Sequence, residues 1–297
     1  MAGDCTPSGG ICVEFEPSRN LLTISPHPQD ATTSGCYNCG MQIIPADIVA
    51  IADVFRDTVE ELIEVFEDEE SADEQLDSPE LLASALFQLF DLLNSPEMAQ
   101  ALDASLTHRE LHAPQQLVGH DLHELGDYGI NLLIDLAYVA DTLRLEEHAR
   151  MLENLSLPLA VWIARRGGEL STLEPVVNAL AALANITTEA VDLENLYQMS
   201  SDIQLAVSPL LQTDLDKGNP NHPWRVLLVN RAIIATRSHH TLLMKDAFDN
   251  LVQLMPEEAS HFFREGMEQM EALSYPEPVK KLVQEYFHEW SAQRTLH

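Results

Sequence analysis

PADIVAIADVFRDTVEELIEVFEDEE, residues 45–70, is the stretch that decides the architecture. Its apolar residues Ile48, Ile51, Val54, Phe55, Val59, Leu62, Ile63 and Phe66 recur at three- and four-residue steps, the period of one α-helical face. Pro45 and Asp47 suit a helix start, because proline presets the backbone angle and a short carboxylate can accept from the first free amides. The run SADEQLDS then breaks the pattern, and Pro79 opens a second helix carrying Leu82, Leu86, Leu89, Phe90 and Leu93.

The same period continues to the C-terminus. It predicts helices at roughly 96–106, 115–124, 128–154, 157–166, 171–186, 189–215, 223–237, 240–254, 256–273 and 276–293. Pro158, Gly167–Gly168, Gly218–Asn219–Pro220 and Tyr275–Pro276 read as the breaks between them. Nothing beyond residue 45 alternates like a strand. The fold class expected is all-α, either a stack of helical hairpins or an irregular bundle.

Upstream the pattern differs. ICVEF (11–15) and LLTIS (21–25) flank EPSRN, where Pro17 presets a turn and Asn20 tolerates a left-handed backbone, so a β-hairpin is expected as a small cap. The expected organisation is a cysteine-bearing segment at 1–44, an acidic helical region at 45–110 and a helical repeat or bundle at 111–297.

All four cysteines lie in the first segment, as Cys5, Cys12, Cys36 and Cys39. Two thiolates in the turn C-Y-N-C-G can grip one ion, with Gly40 relieving the crowding where the chain turns back. "CYNCG" resembles the knuckle of rubredoxin and zinc-ribbon modules, which implies a structural zinc ion held by Cys36 and Cys39 together with Cys5 and Cys12. His27 is an alternative ligand. An unliganded cysteine tail is the competing reading. A redox pair would need a βαβ setting that this segment lacks.

A second group of potential ligands is His108, His112, His120 and His123, among Glu110, Asp121, Glu124 and Asp127. His108 and His112 would share a helix face, whereas Pro114 and Gly119 interrupt the helix before the second pair. Scattered surface histidines in an acidic chain are the commoner explanation of such a group. The chain carries no HExxH, GxSxG, phosphate-cradling glycine loop or dinucleotide fingerprint. Arg165 and Arg166, before two glycines, suit either an anion or a helix end. Trp162, Trp224 and Trp290 fall in apolar helical positions and are expected in the core or lining a groove.

The C-terminal helices look paired. A 35-residue shift lays Met244, Ala247, Phe248, Leu251 and Val252 onto Val279, Leu282, Val283, Tyr286 and Phe287. Leu227, Leu228 and Ala235 fall on Phe262, Phe263 and Met270, and Phe262 and Gly266 form a large–small pair four residues apart. Residues 222–290 thus resemble tetratricopeptide-type repeats, which implies a protein-binding surface, although the tyrosine and alanine positions usual in that family are not matched.

The formal charge of −32 excludes a nucleic-acid binder or a protein adhering to anionic membrane, since both need a basic face. No lysine or arginine occurs between Arg56 and Arg109, and the first half of that interval is dense in Asp and Glu. Salt adaptation of the whole surface is one reading, and a docking face for a basic protein partner is the other. No apolar run is long enough for a membrane span and no secretory leader is evident, so a cytoplasmic location is expected. The function expected is a non-enzymatic interaction adaptor or assembly factor with a structural zinc site. The alternative is a metal-dependent enzyme or metallochaperone built on the four histidines.

Overall fold

A computed structural model describes residues 43–68, 77–100, 122–213, 219, 221–272 and 274–292. These form helices α1 (Ile48–Asp68), α2 (Pro79–Leu93), α3 (Leu122–Thr142), α4 (Glu146–Arg165), α5 (Glu174–Ile186), α6 (Ala190–Ala206), α7 (Pro209–Thr213), α8 (Pro223–Arg237), α9 (Thr241–Leu254), α10 (Pro256–Ala272) and α11 (Glu277–Ala292). Residues 96–100 are helical as well. Among the described residues the single β feature is an isolated parallel bridge between Leu170 and Val207, so the body is all-α as its periodicity predicts. The expected β-hairpin, with all four cysteines, lies outside the described residues.

Local chemistry accounts for the helix starts. The Asp47 carboxylate accepts from the Val49 and Ala50 amides at 3.0 and 3.2 Å, satisfying donors that have no partner inside α1. Proline occupies the first turn of α2, α5 and α8, where the missing N–H costs no hydrogen bond.

Three breaks differ from the sequence expectation. The helix expected at 128–154 is two helices, α3 and α4. Arg144 turns the chain between them at φ 61°, and the Leu145 amide donates back to the Ala140 carbonyl at 2.8 Å. A non-glycine residue in the left-handed region leaves no compositional mark. Conversely, Pro158 does not break the chain but lies inside α4. Every residue from Asn154 to Ile163 is buried, and packing on all sides outweighs the one lost backbone bond. The helix expected at 189–215 ends at Ala206. There the Leu170 amide donates to the Ala206 carbonyl and the Ser208 amide to the Leu170 carbonyl (2.8 and 2.9 Å), and Pro209 starts the short α7.

Helices α1 to α4 close a ring in which α1 packs on α2, α2 on α3, α3 on α4 and α4 on α1. Close approach in this ring needs missing side chains. A Cβ on Gly126 would stand 2.6 Å from Ile163 Cδ1, and one on Gly129 would stand 2.7 Å from Leu89 Cδ2. Helix α4 passes contact on to α5 and α6, and α8 packs against α5, α6 and α9. The terminal helices pair in chain order, α9 with α10, α10 with α11 and α9 with α11. One apolar core runs from Ile48 to Tyr286, so residues of the 45–110 region share a core with the rest. The positions matched by the 35-residue shift face inward in both units: Met244, Phe248 and Leu251 are buried, as are Val279, Val283 and Tyr286.

Helix α8 is enclosed. Every residue from Val226 to Thr236 is buried, including Asn230 and Arg231. Its three arginines each hold a different neighbour. Arg225 pairs with Glu258 of α10 at 2.6 Å. Arg237 donates to the Ala184 and Thr187 carbonyls at the C-terminal end of α5, at 2.5 and 2.8 Å. Arg231 donates through Nη2 to Tyr197 Oη (2.8 Å), Ser201 Oγ (3.0 Å) and Asp246 Oδ2 (3.0 Å), joining α6 to α9. Tyr197 Oη in turn donates to Asp246 Oδ2 at 2.5 Å, and the guanidinium lies over the Tyr197 ring.

The Arg231–Asp246 pair is lopsided: the Arg231 side chain is 3% exposed and that of Asp246 is 57% exposed. Arg231 Nε and Nη1 are buried without a partner. Removing the carboxylate therefore strands a buried charge, whereas removing the arginine leaves an exposed acid that water can solvate. Asp246→Ala should cost about 3–5 kcal/mol in urea unfolding, and Arg231→Met, which keeps the buried volume, should cost clearly less. Equal losses would contradict this asymmetry.

Burial raises the phenols of Tyr197, Tyr275 and Tyr286 above their ordinary range. Tyr275 is pushed up to about 12 by burial, against the opposing pull of the Arg237 guanidinium. Above about pH 10 the unfolded phenol releases its proton while the folded one keeps it, so the native state binds more protons and stability falls as pH rises. This contribution is complete below pH about 10 and is lost as the pH passes through about 12. Unfolding midpoints should decline between pH 10 and 12, and Tyr275→Phe should flatten the decline; an unchanged slope in that variant would contradict the assignment.

Candidate functional site

The outward face of α1 carries Asp53, Asp57, Glu60, Glu61, Glu64, Glu67 and Asp68, all exposed. Its single cation, Arg56, binds Asp53 at 2.9 Å. His148 of α4 meets Glu61 with Nε2 3.0 Å from Oε2. Asp57, Glu60, Glu64, Glu67 and Asp68 form no ion pair among the described residues. Asp57, Glu60, Glu61, Glu64, Val65 and Asp68 line a shallow, solvent-open depression.

This arrangement works against the helix that carries it. Asp57, Glu60 or Glu61, Glu64 and Asp68 stand three or four residues apart, where like charges repel by about 0.2–0.5 kcal/mol per pair. The last turn holds no basic residue, yet it carries acids at the end where the backbone dipole is already negative. Local helix stability does not account for such an array.

Of the histidine group, only His123 lies among the described residues, with Glu124 and Asp127 beside it on α3. His108, His112 and His120, with Glu110 and Asp121, lie outside them, as do Cys5, Cys12, Cys36, Cys39 and His27. Among the described residues no group of three or more metal-capable side chains assembles. His123 instead meets the loop between α4 and α5. Its Nδ1 lies 3.0 Å from the Glu169 carbonyl and its Nε2 lies 3.4 Å from Ser171 Oγ. Asp127 Oδ1 accepts from the Ser171 and Thr172 amides at 3.1 and 2.9 Å, and Oδ2 stands 3.7 Å from His123 Nδ1.

Serine, histidine and aspartate thus meet, and the neighbouring Ser171 and Thr172 amides are both bound to Asp127. The geometry is that of a latch holding the 169–172 loop against α3. Glu169, Ser171 and Thr172 lie more than forty residues from their α3 partners, and no spacing pattern in the sequence links them.

The paired arginines are also engaged. Arg165 donates to Asp202 at 2.8 Å. Arg166 stacks on Trp162 with 3.8 Å between the guanidinium carbon and the ring centre, and burial lowers its pKa. Trp162 and Trp224 are buried and Trp290 packs partly against the same core, so all three are packing residues. Sequence reasoning did not find the α8 arginines or their partners Tyr197 and Asp246; the visible signal was arginine inside an otherwise apolar run, WRVLLVNRAIIATR. Among the described residues no helix is long and apolar enough to cross a membrane.

The chain matches no protein-family model, no curated protein and no solved structure.

Proposed function

We propose that this chain is a non-enzymatic, cytoplasmic interaction protein, an adaptor or assembly factor that docks a basic protein partner on the outer face of α1. The observation that carries the reading is the row of unpaired carboxylates on α1, set against its own helix dipole. Cations arriving from outside relieve the repulsion within such a row, and a field of one sign speeds their arrival. The paired C-terminal helices are taken as a tetratricopeptide-like scaffold for the assembly. A structural zinc ion on Cys5, Cys12, Cys36 and Cys39 belongs to the same reading.

The test compares the protein with a variant carrying Asp57→Asn, Glu60→Gln, Glu64→Gln and Asp68→Asn. The probe is a lysine oligomer, which reads charge attraction alone. Removing the internal repulsions should stabilise the free protein by about 1–2 kcal/mol. The same change should weaken lysine-oligomer binding at least fivefold at 50 mM salt, and most of the difference should vanish at 300 mM. A variant that binds the oligomer as well as the parent would overturn the proposal.

A further inference from the structure

The outer face of α3 carries a second row with different chemistry. Glu124, Tyr128, Asn131, Asp135, Tyr138 and Thr142 are all exposed. Tyr128 is 50% and Tyr138 66% exposed, which is high for aromatic side chains on a packed helix. The steps along the row are four, three, four, three and four residues. At 100° per residue these six positions share an arc of about 80°, and at 1.5 Å per residue the row is about 27 Å long. A 3-4 alternation is the seam by which one helix lies along another. The opposite side of α3 is already taken by α2 and α4, so this face is unpartnered among the described residues.

The residues on the seam define its occupant. It holds two carboxylates, two tyrosine rings and no cation. A self-associating seam would carry apolar residues, and two copies of a chain with charge −32 repel through such a face. The chain's own N-terminal segment fits no better: residues 1–42 contain Asp4, Glu14, Glu16 and Asp30 against the single cation Arg19. Guanidinium groups complement both components, by pairing with carboxylates and by stacking on tyrosine faces. Exposed tyrosine is also among the residues that most often anchor protein contacts.

We infer that the α3 seam binds an α-helical segment of a partner protein that presents arginines at heptad spacing. They would lie over Tyr128 and Tyr138 and pair with Glu124 and Asp135. This goes beyond the α1 proposal, because α1 and α3 are not neighbours in the four-helix ring and present separate faces.

The experiment uses the full chain with ¹³C-labelled tyrosine rings and a synthetic helical peptide carrying arginine at heptad spacing. Its control is the same composition with the spacing scrambled, both at 150 mM salt. The heptad peptide should shift the Tyr128 and Tyr138 resonances while leaving those of the buried Tyr197 in place, and the scrambled peptide should bind at least fivefold more weakly. Tyr128→Ala with Tyr138→Ala should weaken the heptad peptide at least tenfold, and Glu124→Gln with Asp135→Asn should do likewise. All four positions are exposed, so circular dichroism and melting should stay at parent values. The four-site α1 variant should change this binding by less than twofold. Equal binding of the two peptides, or binding that survives the tyrosine variant, overturns the α3 inference whatever the lysine-oligomer assay shows. Loss of binding in the α1 variant alone overturns it while leaving the α1 proposal standing.

Discussion

Arg231, fixed inside α8 by Tyr197, Ser201 and Asp246, is the contact on which the C-terminal half of the molecule depends. A helix buried all round has no preferred apolar face, so hydrophobic burial alone gives it no rotation about its own axis. The arginines supply that information. Arg225 points to α10, Arg231 to α6 and α9, and Arg237 to the end of α5, and each contact is directional where apolar contact is not. Together they set the register of α8 among four neighbours. Helix α4 is buried in the same way through its second half, and there glycines on α3 set the approach instead.

The same placement shapes the surface. The chain has 16 lysines and arginines against 48 acids, and several of those cations are drawn inward or tied to a helix end. Arg225, Arg231 and Arg237 hold α8, Arg166 lies on Trp162, and Arg165 is bound to Asp202. The other eleven are far outnumbered by the 48 acids. The outer faces of α1 and α3 are acidic, α1 as a dense row of carboxylates with Arg56 on Asp53 and His148 on Glu61 as its local partners, and α3 as carboxylates spaced between tyrosines.

Much of the helical plan was legible because amphipathic helices carry their period openly. The residues of 45–70 that recur at three- and four-residue steps, such as Ile51, Phe55, Val59 and Leu62, are the ones α1 buries. Boundaries failed where the deciding event was not compositional. Arg144 takes a glycine-like angle, Pro158 is absorbed by its surroundings, and Ala206 ends α6 because Leu170 bonds there from another part of the chain. The acidic face of α1 was visible as a run without cations. The α3 seam was not, since its residues are widely spaced and two of them are aromatics that periodicity alone would assign to the core. The latch of His123 and Asp127 on Ser171 and Thr172 is invisible for a different reason: contacts between distant loops leave no local pattern.

The claim that α8 is the enclosed, arginine-fixed centre of the C-terminal half is tested most directly by native-state hydrogen exchange. The amides from Val226 to Thr236 should exchange only through global unfolding, with protection equal to the full stability. Those of α1 and α11, at the two ends of the described chain, should open at lower free energy. In Asp246→Ala the α8 amides should lose protection together with those of α6 and α9, as one unit. Exchange of α8 faster than that of α1, or loss of protection confined to α9, would contradict the account.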